Sequence, residues 1–401
     1  MKYFTPALLA CAVTTASGAW AEAASLEEAI SGGTAKLNLR YRLENVNQDA
    51  KDSTMANTLQ TRLNFTTQTY NGLSAVLEFD QVSAIADDNY NSSPTAATSN
   101  GKTNYAVVAD QEGTDLNQAK LIYTRGENTL VLGRQAVNLG DQRFVGTVGW
   151  RQNEQTYDAL AAVTKAIPDT TVVYAYVANV NRIDYSDIHA NTHVLSVVNN
   201  KLPYANVEFL ALLLDATNAA DLSSDTLALN VKGKVEGLNY DLGYAQQSGA
   251  YDNPKDYDAN YTRIEVGYTL SGINATIGQE TLGADKDVAV GFATPLATMH
   301  KFQGWADQFL STPDTGVEDT YLQVSGKVSD YAITAVYHQF ASVEKTALTT
   351  DDYGTELDLS VATKLGKNYG ALIKAAQYTG DANGAKNPDV SKVWLQLTAS
   401  F

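Results

Sequence analysis

Apolar and polar side chains change places at every second residue in segment after segment of this chain. Ala35, Leu37, Leu39, Tyr41 and Leu43 alternate with Lys36, Asn38, Arg40, Arg42 and Glu44; Leu59, Leu63 and Phe65 alternate with Gln60, Arg62 and Asn64. At the far end Val393, Leu395, Leu397, Ala399 and Phe401 alternate with Lys392, Trp394, Gln396, Thr398 and Ser400. Period two is the signature of a strand with one oily face and one wet face. Tight turns are marked by Asn71-Gly72, Arg125-Gly126-Glu127-Asn128, Ile167-Pro168-Asp169, Asn199-Asn200-Lys201, Glu236-Gly237, Ser271-Gly272, Ser329-Asp330 and Gly366-Lys367-Asn368. Between them lie longer polar connections at 47–56, 84–113, 136–153, 181–191, 215–223, 248–260, 282–316, 341–353 and 379–391. Short and long alternate without a break. The pattern predicts about eighteen antiparallel strands, an even number. Sixteen stays open, because 155–163 and 192–214 carry apolar residues on both parities.

Met1-Lys2, the apolar run from Tyr3 to about Ala16 and the small residues of Ala19-Trp20-Ala21 read as a secretory signal over 1–21, with Glu22 as the first mature residue. The single cysteine, Cys11, lies in that segment, so the mature chain has no thiol and its fold cannot depend on disulfides. Lipidation at Cys11 is disfavoured by the short apolar run before it. No apolar run of about 18 residues follows, which excludes a helical membrane protein. A barrel is not excluded, because its polar lumen side offsets the oily side. In hydrocarbon every backbone group must be paired, so a sheet that crosses must close on itself. The chain is therefore expected to be an all-β transmembrane antiparallel β-barrel over 34–401, with short periplasmic turns and long extracellular loops. Residues 22–33 form a periplasmic or plug-forming lead, with a helical turn at Leu26–Ile30. A barrel this wide encloses water unless loops fold into it.

Net charge is −17, from 28 Lys plus Arg and 45 Asp plus Glu, which argues against nucleic-acid binding. There are 23 Tyr against 4 Trp and 10 Phe, which suits interfacial girdles and sugar-facing surfaces. Neither His-Glu-x-x-His nor Gly-x-Ser-x-Gly occurs, so no enzyme chemistry, cofactor or metal is expected. His189 and His193 have metal spacing only on a helix, and they fall at a strand start. Asp252, Asp256, Asp258, Asp285 and Asp287 read as solvated loop acids rather than a calcium site. Lumen-facing parity assigns Arg40, Arg42, Arg62 and Lys120 to the pore wall, with Glu44, Glu78 and Asp80. Arg134, Arg143 and Arg151, beside Asp141, Glu154 and Asp158, would be costly facing lipid, and are expected to point inward or lie on a folded-in loop. They serve there as selectivity element or as structural clamp. The 282–316 connection contains Phe292, Leu296, Met299, Phe302, Trp305 and Phe309, which do not belong in water. It is expected to enter the barrel mouth as a constriction or lid formed by Met299, His300, Phe302 and Trp305, the alternative being contact with a neighbouring subunit.

The final strand resembles the C-terminal strand of bacterial outer-membrane barrels, in which a terminal aromatic, here Phe401, is part of the signal read by the insertion machinery. Gly133-Arg134-Gln135, Asp141-Gln142-Arg143-Phe144-Val145-Gly146 and Gly149-Trp150-Arg151-Gln152-Asn153-Glu154-Gln155-Thr156-Tyr157-Asp158-Ala159 resemble the signature stretch of the alginate-export family of outer-membrane channels. The segment from Thr294 to Asp307 is similar to a long loop of porin-like relatives of that group. The resemblance implies a porin-type channel in the bacterial outer membrane, set in lipid and lipopolysaccharide, passing small hydrophilic solutes or a uronate polysaccharide. Balanced bases and acids on the predicted wall fit a general solute channel better than a conduit for a polyanion. The alternatives are a dedicated exporter of an acidic exopolysaccharide, a secreted soluble glycan-binding protein or lyase, and an outer-membrane hydrolase. Self-association is left open.

Overall fold

A computed structural model describes residues 22–95, 97–344, 352–381 and 388–401. Residues 1–21, read from sequence as a secretory signal and including Cys11, lie outside them. The chain begins with a short helix, α1 (Leu26–Ser31), capped by the Ser25 hydroxyl on the Glu28 amide. Next come β1 (Thr34–Gln48), β2 (Thr54–Thr66), β3 (Leu73–Asn89), β4 (Gly113–Arg125), β5 (Asn128–Gln135) and β6 (Thr156–Thr164). The wall continues through β7 (Thr170–Asn181), β8 (Asp187–Asn199), β9 (Ala205–Leu214), β10 (Ser224–Val235), β11 (Leu238–Gly249), β12 (Asp258–Leu270) and β13 (Ile273–Leu282). Two very short strands, β14 (Ala284–Asp285) and β15 (Val290–Gly291), pair within the following loop. The wall ends with β16 (Val317–Val328), β17 (Tyr331–Ala341), β18 (Asp352–Leu365), β19 (Tyr369–Gly380) and β20 (Val390–Ser400).

Leaving out β14 and β15, the described strands form one 18-stranded antiparallel sheet, so eighteen rather than sixteen is the strand count. β1 pairs with both β2 and β20, with Tyr41 opposite Leu59 on one side and Leu397 on the other, and the sheet closes into a barrel. Phe401 extends that seam: its amide donates to the Leu37 carbonyl at 2.9 Å, and its ring meets the Tyr369 ring edge-on. The lead segment docks at the tight-turn end, where the Gln68 amide donates to the Ala29 carbonyl.

The barrel is inside-out relative to a water-soluble domain. Leu357, Leu359 and Val361 are exposed along β18, whereas Glu356 and Asp358, on the other parity, are buried. On β20, Val393, Leu395 and Leu397 face outward and Lys392 and Trp394 inward. A closed strand set whose exposed face is apolar is matched to hydrocarbon. Several strands extend past the polar residues taken from sequence as loop. The connection expected at 47–56 shrinks to 49–53, and β3 runs to Asn89, because the β2–β3 ladder continues to Met55 and Asn89 through bulges.

One arc of the wall breaks the polar-inside rule. Tyr157, Ala161, Val173, Ala175, Val177 and Val194 point inward and pack against Val137, Leu139, Val145 and Leu296, which arrive on loops. Strands β6 to β8 are apolar on both faces because lipid lies outside them and a small hydrophobic core lies inside. This is why the parity of these segments is ambiguous in the sequence.

Candidate functional site

Loop 136–155 and loop 283–316 both leave the wall and meet inside the barrel. The Gly146 amide donates to the Leu296 carbonyl at 2.8 Å and the Thr298 amide to the Gln142 carbonyl at 3.0 Å. The Thr298 hydroxyl donates to Gln142 Oε1 and accepts from the Val148 amide. A Cβ on Gly146 would lie 2.4 Å from Thr298 Oγ1, so only glycine permits this approach. Val148 adopts φ 54°, a left-handed conformation that a β-branched residue rarely takes, and the surrounding contacts hold it there.

Each loop is then tied to the wall. Arg143 Nε reaches Glu280 on β13 at 2.9 Å, and its Nη atoms reach Thr294 and Gln303 of the second loop. Glu280 also accepts from Tyr261 and from Gln303. Arg151 joins Glu44 on β1 at 2.9 Å and Asp307 at 3.0 Å. Arg40 donates to Gln152 Oε1 and to the carbonyls of Gly149 and Arg151. Arg42 is fully buried between Asp110 and the face of Trp150. Loop 283–316 is anchored across the lumen by the Trp305 and Ala306 amides on Asp358 and Glu356, and by Lys392 on Asp307 at 2.7 Å.

Of the residues assigned to the pore wall from sequence, Arg40, Arg42, Arg62, Glu78, Asp80, Lys120, Arg143, Arg151 and Glu154 lie inside the barrel. Most of them are engaged in holding loops or neighbouring strands. Arg62 bridges Asp80 at 2.6 Å and Glu154 at 3.1 Å, Glu78 accepts from Asn117 and Gln118, and buried Lys120 donates to Gln118. Arg134 and Asp158 do not face the lumen. They share a face with Leu132 and Leu160, which are exposed, and pair with each other at 2.8 Å on the outer side of β5 and β6. Both sit at the loop end of their strands, where the wall leaves the apolar band and a charge pair can stay hydrated. His189 and His193 are also exposed, on one face of β8, and His193 is bonded to Tyr174. Among the described residues no cluster of His, Cys, Asp or Glu suits a metal ion.

The two loops leave a cavity of about 870 Å³ against the β11–β17 wall. Asp141, His300, Phe302 and Trp305 line it, whereas Met299 lines a separate pocket nearer the loop end. The remaining charged lining was not singled out from sequence: Asp241, Arg263, Glu265, Glu280, Asp319, Lys301, His338 and Lys374. Arg263 sits between two acids, Asp141 at 2.5 Å and Asp241 at 3.1 Å. Burial disfavours the Asp141 charge, but Arg263 and Lys301 outweigh it and draw the carboxyl down to about 2. Burial lowers the Lys301 ammonium, which donates to the Asp141 carbonyl at 2.7 Å. Extending inward parity to β12, where Tyr261 and Arg263 are buried and Ile264 and Val266 exposed, would have found these residues.

The sequence profile for alginate export matches residues 34–295, most of the chain. The chain belongs to the alginate export family. No curated protein sequence matches it significantly. Among solved structures it is similar to OccK11 (OpdR) of Pseudomonas aeruginosa at 13% identity and TM-score 0.69, covering 93% of this chain and 96% of that one. It is also similar to OccAB4 of Acinetobacter baumannii at 13% identity and TM-score 0.70, covering 92% and 98%. A third is Pseudomonas aeruginosa OpdK, crystallised with vanillate, at 12% identity and TM-score 0.66, covering 92% and 98%. At these identities the likeness is one of fold, that of outer-membrane porins. This alginate export family member is thus an outer-membrane β-barrel with the architecture of a porin-type channel.

Proposed function

We propose that this protein passes small hydrophilic solutes passively across the outer membrane, through the cavity that loops 136–155 and 283–316 leave inside the barrel. The observation that carries this reading is the meeting of the two loops at Gly146, Leu296, Gln142 and Thr298, which divides a lumen wide enough for water. The remaining space, about 870 Å³, is the size of a small-molecule site. Cations Arg263, Lys301 and Lys374 and acids Asp141, Asp241, Glu265 and Asp319 line it together, with Phe302 and Trp305 as apolar surfaces. Forked and ammonium donors suit carboxylates and sugar hydroxyls, and the acids oppose a strongly anionic polymer.

A second reading, export of an acidic polysaccharide, is favoured by the family match alone. Vanillate on OpdK supports a small acid as one solute to try. Reconstitution in planar bilayers and in liposomes separates the two. Discrete current steps, with faster swelling in monosaccharides and small acids than in oligouronates, support the small-solute channel. Oligouronate flux at least equal to monosaccharide flux supports the exporter. Silence in bilayers with hydrolysis of lipid overturns both in favour of an enzyme.

A further inference from the structure

The tryptophans of the described residues, Trp150, Trp305 and Trp394, come from three different elements and converge on one ammonium group, that of Lys374 on β19. Lys374 Nζ lies 3.8 Å from the ring centroid of Trp305, 4.2 Å from Trp150 and 5.4 Å from Trp394. His300 completes the cluster. Its ring stacks on Trp150 at 4.6 Å, Nδ1 lies 2.6 Å from Asp307 Oδ1, and Nε2 lies 2.7 Å from Lys374 Nζ. An ammonium only donates, so Nε2 accepts from it and the ring proton resides on Nδ1, donated to Asp307. The imidazole is therefore neutral.

A second proton would place an imidazolium N–H against the Lys374 ammonium. Asp307 on Nδ1 favours that proton, but other cations crowd the cluster. Arg42 of β1 occupies the opposite face of Trp150 at 4.1 Å, and Arg151 of loop 136–155 and Lys392 of β20 both hold Asp307 Oδ2. The remaining acids nearby are engaged: Glu44 by Arg151, and Glu356 and Asp358 of β18 by the amides of Ala306 and Trp305.

We propose that His300 is a proton-operated latch: neutral, it pins residues 299–307 against β18, β19, β20 and loop 136–155; protonated, it releases that segment into the lumen and alters the current the barrel carries. This rests on the channel reading above. Burial and the Lys374 charge hold the imidazole well below its ordinary value, although Asp307 draws it upward. Asp307 stays ionised, because His300, Lys392 and Arg151 outweigh the effect of burial on its carboxyl. The pinned segment thus binds one proton fewer than the released one. Pinning is complete above the ordinary histidine value, about 6.5, and the ratio of pinned to released falls by up to about tenfold per pH unit below it.

All three tryptophans of the described residues sit at the latch, so intrinsic fluorescence reports it directly. The full barrel, in micelles and in planar bilayers, is titrated from about pH 8 to about pH 4 while tryptophan emission, acrylamide quenching and single-channel current are followed. Wild type should show a one-proton rise in quenching together with a change in current. His300→Gln, which cannot titrate, should abolish both. Lys374→Gln, with the opposing ammonium removed, should shift the transition to higher pH, and His338→Gln should leave it in place. Heat-shifted gel mobility checks that each variant is folded. An identical profile in wild type and His300→Gln, or a fluorescence transition without any change in current, overturns the latch. A steady pH-independent current rejects the latch and keeps the channel; no current at any pH rejects both.

Discussion

Arg143 of loop 136–155 and Glu280 of β13 meet at 2.9 Å with both side chains out of water, 2% and 3% exposed. A buried pair broken from one side costs roughly 3–5 kcal/mol, because the remaining charge loses its counter-ion. Arg143 also bonds Thr294 and Gln303, so one guanidinium fastens both inner loops to the same wall. Arg143→Ala is therefore expected to loosen both loops and raise single-channel conductance, with faster proteolytic cutting within 283–316. Wild-type conductance with normal folding would mean that these loops do not narrow the path.

Two arginines that look alike in the sequence lie on opposite faces of the wall. Arg263 lies inside between Asp141 and Asp241, and Arg134 lies outside on Asp158. Arg263→Gln leaves two lumen carboxylates without their shared cation, so the reversal potential in a salt gradient should move toward cation selectivity. Arg134→Gln should leave the reversal potential unchanged. A shift with Arg134→Gln and none with Arg263→Gln would invert the assignment of faces.

The wall was largely legible because period-two patterning is enforced twice, by lipid on one side and by water on the other. Asn71-Gly72, Glu236-Gly237 and Ser271-Gly272 each occupy a tight turn, with positive φ at all six residues. The site was less legible. Arg134 and Asp158 belong to a polar stretch that changes face at the rim, and parity there is visible only by counting from Leu132 and Leu160. Tyr157, Ala161 and Val173 face a core supplied by Val137 and Val145 of the β5–β6 loop and by Leu296 of a distant one. Lys374 and Lys392 are brought together by the β19–β20 hairpin, but Asp307 reaches them from a loop more than sixty residues earlier, and the three share no motif.

Asp141 gives a pH dependence separate from that of His300. Its carboxyl is held at about 2 by Arg263 and Lys301 against the cost of burial. A depressed acid contributes stability that is present above its ordinary value, about 4, and is lost as pH falls toward the depressed one; the shift corresponds to about 2 kcal/mol. The midpoint temperature of heat-modified gel mobility should therefore fall between about pH 4 and about pH 2 in wild type. Asp141→Asn should be less stable at neutral pH and lack this acid step. An acid step of the same size in Asp141→Asn would transfer the effect to other carboxylates.

The sharpest check of the fold uses adjacent residues midway along β18. Leu359 is 47% exposed on the face shared with Leu357 and Val361, whereas Ser360 lies on the face of Glu356 and Asp358. The two differ by one step along the strand, so chain position, neighbouring turns and hydrogen-bonded partners are nearly the same. An arginine facing the middle of the bilayer costs roughly 2–4 kcal/mol, and one facing the lumen costs far less. Leu359→Arg should fold poorly into lipid vesicles, as read from heat-shifted gel mobility. Ser360→Arg should fold normally and, by adding a cation to the lumen, move the reversal potential toward anions. Equal folding of the two variants would mean that Leu359 does not meet hydrocarbon, and poorer folding of Ser360→Arg would place the oily environment inside the cylinder.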